Sequence, residues 1–89
     1  MENADYELVK QCLSGNIDSF SELVAKYKRL IYSAVYNMVG NKDEADDISQ
    51  EVFLKIFKAL DRYNPEYKFS TWSVKIATNY CVDVLRKKK

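Results

Sequence analysis

The sequence predicts an all-α domain, a compact bundle of about four helices, and three observations carry that expectation. Apolar residues recur at spacings of three and four along successive stretches, and none alternates with the period of two that marks a half-buried strand. The stretches are separated by short polar breakers. Glycine and proline are scarce, two and one in 89 residues, so little chain is left for long loops. Short connections between amphipathic helices make neighbours antiparallel and close a bundle.

Residues Asp5 to Leu13 place Leu8, Val9, Cys12 and Leu13 at helical spacing, and Ser14-Gly15-Asn16 breaks that helix. Ser19 followed by Glu22 reads as a capping box for a second helix, whose core side carries Phe20, Leu23, Val24, Tyr27, Leu30, Ile31, Ala34, Val35 and Met38. It should run to about Val39, with Gly40 in the left-handed position after its end and Asn41 with Glu44 capping the next. The third helix turns Ile48, Val52, Phe53, Ile56, Phe57 and Leu60 inward, and it stops near Leu60 or Asp61 because Pro65 cannot continue it. A fourth restarts at Ser70, read as its N-cap, with Val74, Ala77, Cys81, Val84 and Leu85 on an apolar arc widened by Ile76 and Tyr80.

A chain of 89 residues forms one domain spanning 1–89, with one core and little room for a catalytic cleft and its supporting shell. No histidine is present, which removes the commonest zinc ligand and general base, and no catalytic, metal or cofactor site is expected. Cys12 and Cys81 stand in helical patterns without CxxC spacing, so they are read as buried reduced thiols. No run approaches a membrane span and no signal peptide opens the chain, so membrane insertion is not expected and the domain reads as cytoplasmic. The net charge of +1 conceals an asymmetry: five acids and no base fall between 43 and 51, whereas six bases face only Asp83 from Lys68 onward. An acidic pole and a basic pole imply two partners, the basic pole suiting nucleic acid.

The basic part is also the aromatic part. Tyr63, Tyr67, Phe69 and Trp72 are interleaved with Arg62, Lys68 and Lys75, the mixture that stacks unpaired bases while meeting their phosphates. The competing account is that these rings plug the end of a small core, and Phe69 and Trp72 are assigned there. On the fourth helix Lys75, Thr78, Asn79, Asp83, Arg86 and Lys89 share a polar face, with Val82 the one apolar intruder. On the third, Asp47, Gln50, Glu51, Leu54, Lys55 and Lys58 lie off the apolar stripe, and a leucine among charges suggests docking. Residues Asp43 to Asp46 spell DEAD, but no phosphate-binding loop accompanies them, and a calcium loop's glycine is missing. These acids instead favour a helix N-terminus.

Three motifs in order, DDISQEVF from Asp46, FSTW from Phe69 and IATNYCVDVLR from Ile76, together with FSELVAKYKRLIYSAVYNMVGN upstream, give the chain an identifiable pattern. It resembles region 2 of bacterial sigma factors of the extracytoplasmic-function group, most similar to the sigma-W type. The resemblance implies a transcription initiation domain that binds core RNA polymerase, recognises the promoter −10 element and stabilises the melted non-template strand, without being an enzyme. It implies that the third helix docks on the clamp coiled coil of the β′ subunit through Asp47, Gln50, Glu51, Leu54 and Lys55. It further implies a base flipped into a pocket beneath the loop, at Tyr63 and Asn79, with Lys68, Phe69, Ser70, Lys75 and Arg86 around it. A restraining anti-sigma factor is a further implied partner. The family's second domain, a helix-turn-helix that reads the −35 element, is absent from a sequence that stops at Lys89.

Two other readings compete. A helical protein-interaction module would bind no oligonucleotide at physiological salt. A small metal-dependent enzyme using the acidic cluster would need a phosphate loop or a base, and the sequence has neither.

Overall fold

The computed structural model describes residues 4–88 as four helices in the order the sequence implies. Helix α1 (Ala4–Leu13) ends where the Ser14 hydroxyl donates to the Lys10 carbonyl oxygen at 2.9 Å and Gly15 turns the chain at φ +106°. Only glycine takes that backbone angle without strain, so the predicted breaker acts through it.

Helix α2 (Ile17–Val39) starts three residues earlier than the capping-box reading places it. Its N-cap is Asn16, whose side chain accepts from the Asp18 N–H at 3.1 Å, and not Ser19. Asn16 follows the Gly15 turn directly and is the first side chain able to reach the free amides. Ser19 lies inside the helix, 3% exposed, and donates to the Gln11 side-chain oxygen at 2.8 Å, which ties α2 to α1. Gly40 closes α2 at φ +70°, its N–H donating to the Tyr36 carbonyl oxygen at 2.8 Å, as the sequence reading expects.

Helix α3 (Lys42–Ala59) carries the cap expected of it, the Asn41 side chain accepting from the Glu44 N–H at 2.9 Å. Its buried residues Ala45, Ile48, Ser49, Val52 and Ile56 fall at spacings of three and four. Phe57 departs from the expected inward stripe: it is 40% exposed and meets Phe20 edge-on at 4.9 Å, so this pair covers the rim of the core rather than filling it. A 3₁₀ turn, Leu60–Arg62, follows.

Helix α4 (Phe69–Lys87) starts one residue before Ser70. Its N-cap is Lys68, which makes no side-chain capping bond, so the assignment of that role to Ser70 is also corrected. Burial of the Phe69 ring, 1% exposed, brings the first turn down onto the core and draws Ser70 inside the helix. Phe69, Ser73, Ala77 and Cys81 make the buried seam at steps of four.

Helix α2 packs against the other three, and its length sets the shape. At 1.5 Å per residue its 23 residues span about 35 Å, most of the 41 Å long axis. The core runs along it: Val9 from α1, Leu23, Ile31 and Val35 from α2, Val52 and Ile56 from α3, Ala77 and Cys81 from α4. Both cysteines are free and buried, and burial pushes their thiols above the usual range. Among the described residues no helix is long and apolar enough to cross a membrane.

Candidate functional site

The segment between α3 and α4 is pinned at both ends. The Asn64 side chain accepts from the Glu66 N–H at 3.0 Å, and the Tyr67 N–H donates to the Asn64 carbonyl oxygen at 3.0 Å, folding the chain around Pro65. Beneath it the Tyr63 ring points inward, 7% exposed, edge-on to Phe69 at 5.4 Å and 5.1 Å from Trp72. Its hydroxyl donates to the Tyr67 carbonyl oxygen at 2.5 Å. Packed against Tyr6, Phe69 and Trp72, the Tyr63 ring does not turn an open face to the cleft in this arrangement, unlike the expectation that it covers a base. Phe69 too is floor, and Trp72 is half-buried beside it.

A cleft of about 370 Å³ lies under the loop. Tyr67, Lys68, Phe69 and Ser70 form one wall, and Asp5, Lys26 and Tyr27 from α1 and α2 form the other. Of the expected strand-binding residues it gathers Lys68, Phe69 and Ser70; Tyr63 and Asn79 do not line it. The far wall is locked by Asp5, whose carboxylate accepts from the Lys26 ammonium at 2.7 Å and from the Tyr27 hydroxyl. Burial, and then the bond to Asp5, raise the Tyr27 hydroxyl well above the usual phenol range. The sequence marks α1 only as a packing element, and this wall escapes it, since a bond across 21 residues leaves no periodic signal. Tyr67, by contrast, is legible as an aromatic among bases, and at 60% exposure it is the loop ring open to solvent.

Along α4, Lys75, Asn79 and Arg86 are exposed and Trp72 half-exposed. Offsets of three, seven and fourteen from Trp72 put the four on one stripe, so a strand running along the helix could meet all of them. Asn79 stands two turns, about 10 Å, from Trp72.

The outer side of α3 exposes Asp47, Gln50, Leu54, Lys55 and Lys58, with Glu51 half-buried and Leu54 at 53% exposure. Lys55 already has a partner, its ammonium standing 4.6 Å from the centroid of the Tyr80 ring on α4. Gln50 stands at a wider cleft of about 560 Å³ between α2 and α3, with Val24, Lys28, Tyr32 and Phe53. The two poles expected from the charge pattern are not at opposite ends. Helices α3 and α4 run antiparallel, so the end of α4 returns to the start of α3 and Lys88 pairs with Glu44. Among the described residues no group of His, Cys, Asp and Glu could hold a metal ion.

A four-helix module whose loop and last helix display aromatics and cations, and whose third helix displays acids around an exposed leucine, is the class these features define. Residues 23–89 match the family described as Sigma-70 region 2, and the chain belongs to that family. It is 43% identical over its full length to the ECF RNA polymerase sigma factor SigW of Bacillus subtilis (strain 168), spanning 48% of that protein. The ECF RNA polymerase sigma-E factor of Escherichia coli (strain K12) is 35% identical over 75 residues, 84% of this chain and 39% of that one. The chain thus spans about half the length, or less, of these relatives. Among solved structures it superposes on an engineered region 2 of sigmaE, solved by NMR in complex with GTAAAA, at a TM-score of 0.87 and 32% identity, covering 99% of this chain and 94% of that one.

Proposed function

We propose that this domain is the part of an extracytoplasmic-function sigma factor that joins core RNA polymerase to the promoter −10 element, acting as an initiation factor and not as an enzyme. The non-template strand lies on α4 and the loop, and its capture when unpaired holds the melted state. Lys75 and Arg86 meet phosphates, and Asn79 offers an amide that pairs with a base edge once the base is unstacked. Tyr63 supports the loop from below. The observation that carries this reading is the exposed stripe Trp72, Lys75, Asn79 and Arg86 beside the loop cleft, on a fold that superposes on a region 2 solved with GTAAAA.

The outer face of α3 docks on the β′ clamp coiled coil, with Asp47, Gln50 and Glu51 supplying polar contacts and Leu54 the apolar anchor. Lys55 and Lys58 border this face. An anti-sigma factor that restrains the protein would have to cover one of the two faces.

Anisotropy titration of a labelled GTAAAA single strand against a scrambled one tests the strand half. Tighter binding of the first is expected; equal binding overturns it. For the other half, a β′ clamp fragment should retain the wild type and lose Leu54→Ala and Glu51→Lys, and equal retention would remove α3 from the interface.

A further inference from the structure

The wider cleft, about 560 Å³ between α2 and α3, takes in only Gln50 of the residues read above as the polymerase contact. Gly40 and Asn41 alone join the two helices, so they run antiparallel and the order of the lining follows. Counting from that connection, Lys42 and Asp46 come first, Tyr32 and Arg29 next, and Lys28, Phe53 and Val24 last. Val24, Tyr32 and Phe53 are half-buried and give the cleft an apolar floor, whereas the four charged groups are exposed. Tyr32 stacks on Tyr36 at 6.0 Å, so its wall is braced before anything binds. Burial, and then Asp46, Tyr36 and Asp43, hold the Tyr32 hydroxyl above the usual phenol range, which keeps it neutral. Ser33 and Gln50 add neutral polar groups at the rim. In the lining too is Ser49, whose buried hydroxyl has no hydrogen-bond partner among the described residues, a demand the fold leaves unmet. Among the described residues Lys28, Arg29, Lys42 and Asp46 form no ion pair. Asp46, with Asp43 just beyond the lining, offsets Lys42 at the connected end. Lys28 and Arg29 are left uncompensated beside the apolar end.

We infer that this cleft is a binding site for a small amphipathic anion, an aromatic ring carrying one carboxylate. The ring lies over Phe53 and Val24, and the carboxylate takes the Arg29 guanidinium and the Lys28 ammonium. A guanidinium presents a planar fork of donors that matches a carboxylate, and the ammonium beside it adds a point charge. The volume falls within the range of ligand sites, about 300 to 1,000 Å³. One negative charge suits the site better than several, because a longer polyanion would have to run past Asp46. The inference depends on neither the strand nor the polymerase contact read above. The competing account is a solvated groove whose rim cations serve only solubility, which would bind rings without regard to their charge or bind nothing.

The test is a titration of the domain with naphthoate, with uncharged naphthylmethanol and with acetate, followed by amide NMR spectra. Naphthoate should bind with a dissociation constant of about 1 mM, the scale for a ligand of its size. The amides it moves should lie on the facing stretches of α2 and α3 that line the cleft. Naphthylmethanol should bind about three- to tenfold more weakly, the scale of exposed ion pairs, and acetate should not bind at the same concentration. The double variant Lys28→Gln, Arg29→Gln, checked for wild-type helicity, should lose that preference for the anion and keep its affinity for naphthylmethanol. Lys68→Gln, at the cleft beneath the loop, should leave naphthoate binding unchanged. Equal binding of naphthoate and naphthylmethanol by the wild type, or a preference that survives the double variant, overturns the anion site. Amide shifts that gather at the loop, with affinity lost in Lys68→Gln, overturn its location. No shift with naphthoate at about 10 mM overturns the site altogether.

Discussion

The Tyr63 hydroxyl donates to the Tyr67 carbonyl oxygen at 2.5 Å, so the ring that anchors the core also sets the height of the loop above the cleft. Tyr63→Phe keeps the packing and removes the bond. Stability should fall by about 0.5 to 1.5 kcal/mol, the net worth of one such bond, and single-strand affinity should fall with it. Urea denaturation and the GTAAAA titration, run on one preparation, check both.

Depth decides the cost of truncation on α3. Ile56→Ala, at a site with no exposure, should destabilise by about 2 to 5 kcal/mol. Leu54→Ala, more than half exposed, should stay within about 0.5 kcal/mol of wild type while weakening capture by a β′ clamp fragment. Chemical denaturation alongside the pull-down separates the two roles.

The corrected start of α2 has its own signature. Asn16→Ala should cost about 0.5 to 2 kcal/mol as a lost cap. The Ser19→Ala change should act through Gln11 instead, so the two losses from Ser19→Ala and Gln11→Ala should not add, whereas Asn16→Ala and Gln11→Ala should come closer to additivity. A double-mutant cycle in urea reads this directly.

Alkaline pH should loosen the packing of α1 on α2. The folded state holds the Tyr27 hydroxyl protonated, with its pKa raised by burial and by Asp5, above the ordinary phenol value near 10. The resulting stability is fully present below about pH 10 and is lost as pH rises towards the folded-state value. Stability curves of wild type and Tyr27→Phe between pH 8 and 11 should therefore differ in slope only above about pH 10, with the wild type falling faster. Parallel curves across that range would show that Tyr27 is not the group responsible.

Asn79 and Arg86 should fail in different ways. Losing the amide in Asn79→Ala should erode discrimination at one strand position by about 1 to 3 kcal/mol. Arg86→Ala should weaken every strand alike and reduce the salt slope by roughly one, because one phosphate is no longer neutralised. Titrations at two salt concentrations distinguish them.

What the sequence discloses and what it withholds follow from the range of each signal. The breaker at Gly15, the stop at Gly40 and the Asn41 cap are local events, and each appears where the residues place it. The motif residues on α3 and α4 are legible because helical spacing sorts them onto faces. Ser19 and Ser70 mislead as caps because serine suits a cap and a position inside a helix alike, and tertiary packing against Gln11 and through Phe69 selects the second. Tyr63 and Tyr67 are indistinguishable by composition, yet one is buried and the other 60% exposed. The Asp5 to Lys26 wall arises only when α1 folds back on α2.

Helix α1 also bears on where the folding unit begins. The family match starts at residue 23, behind α1 and six residues into α2, yet Val9 and Cys12 are part of the same core and Tyr6 faces Tyr63 at 6.3 Å. A fragment trimmed to that boundary would bare an oily strip along α2 and one side of the aromatic cluster, a surface prone to self-association. The stretch that carries the family pattern and the stretch that can cover its own core are not the same length of chain.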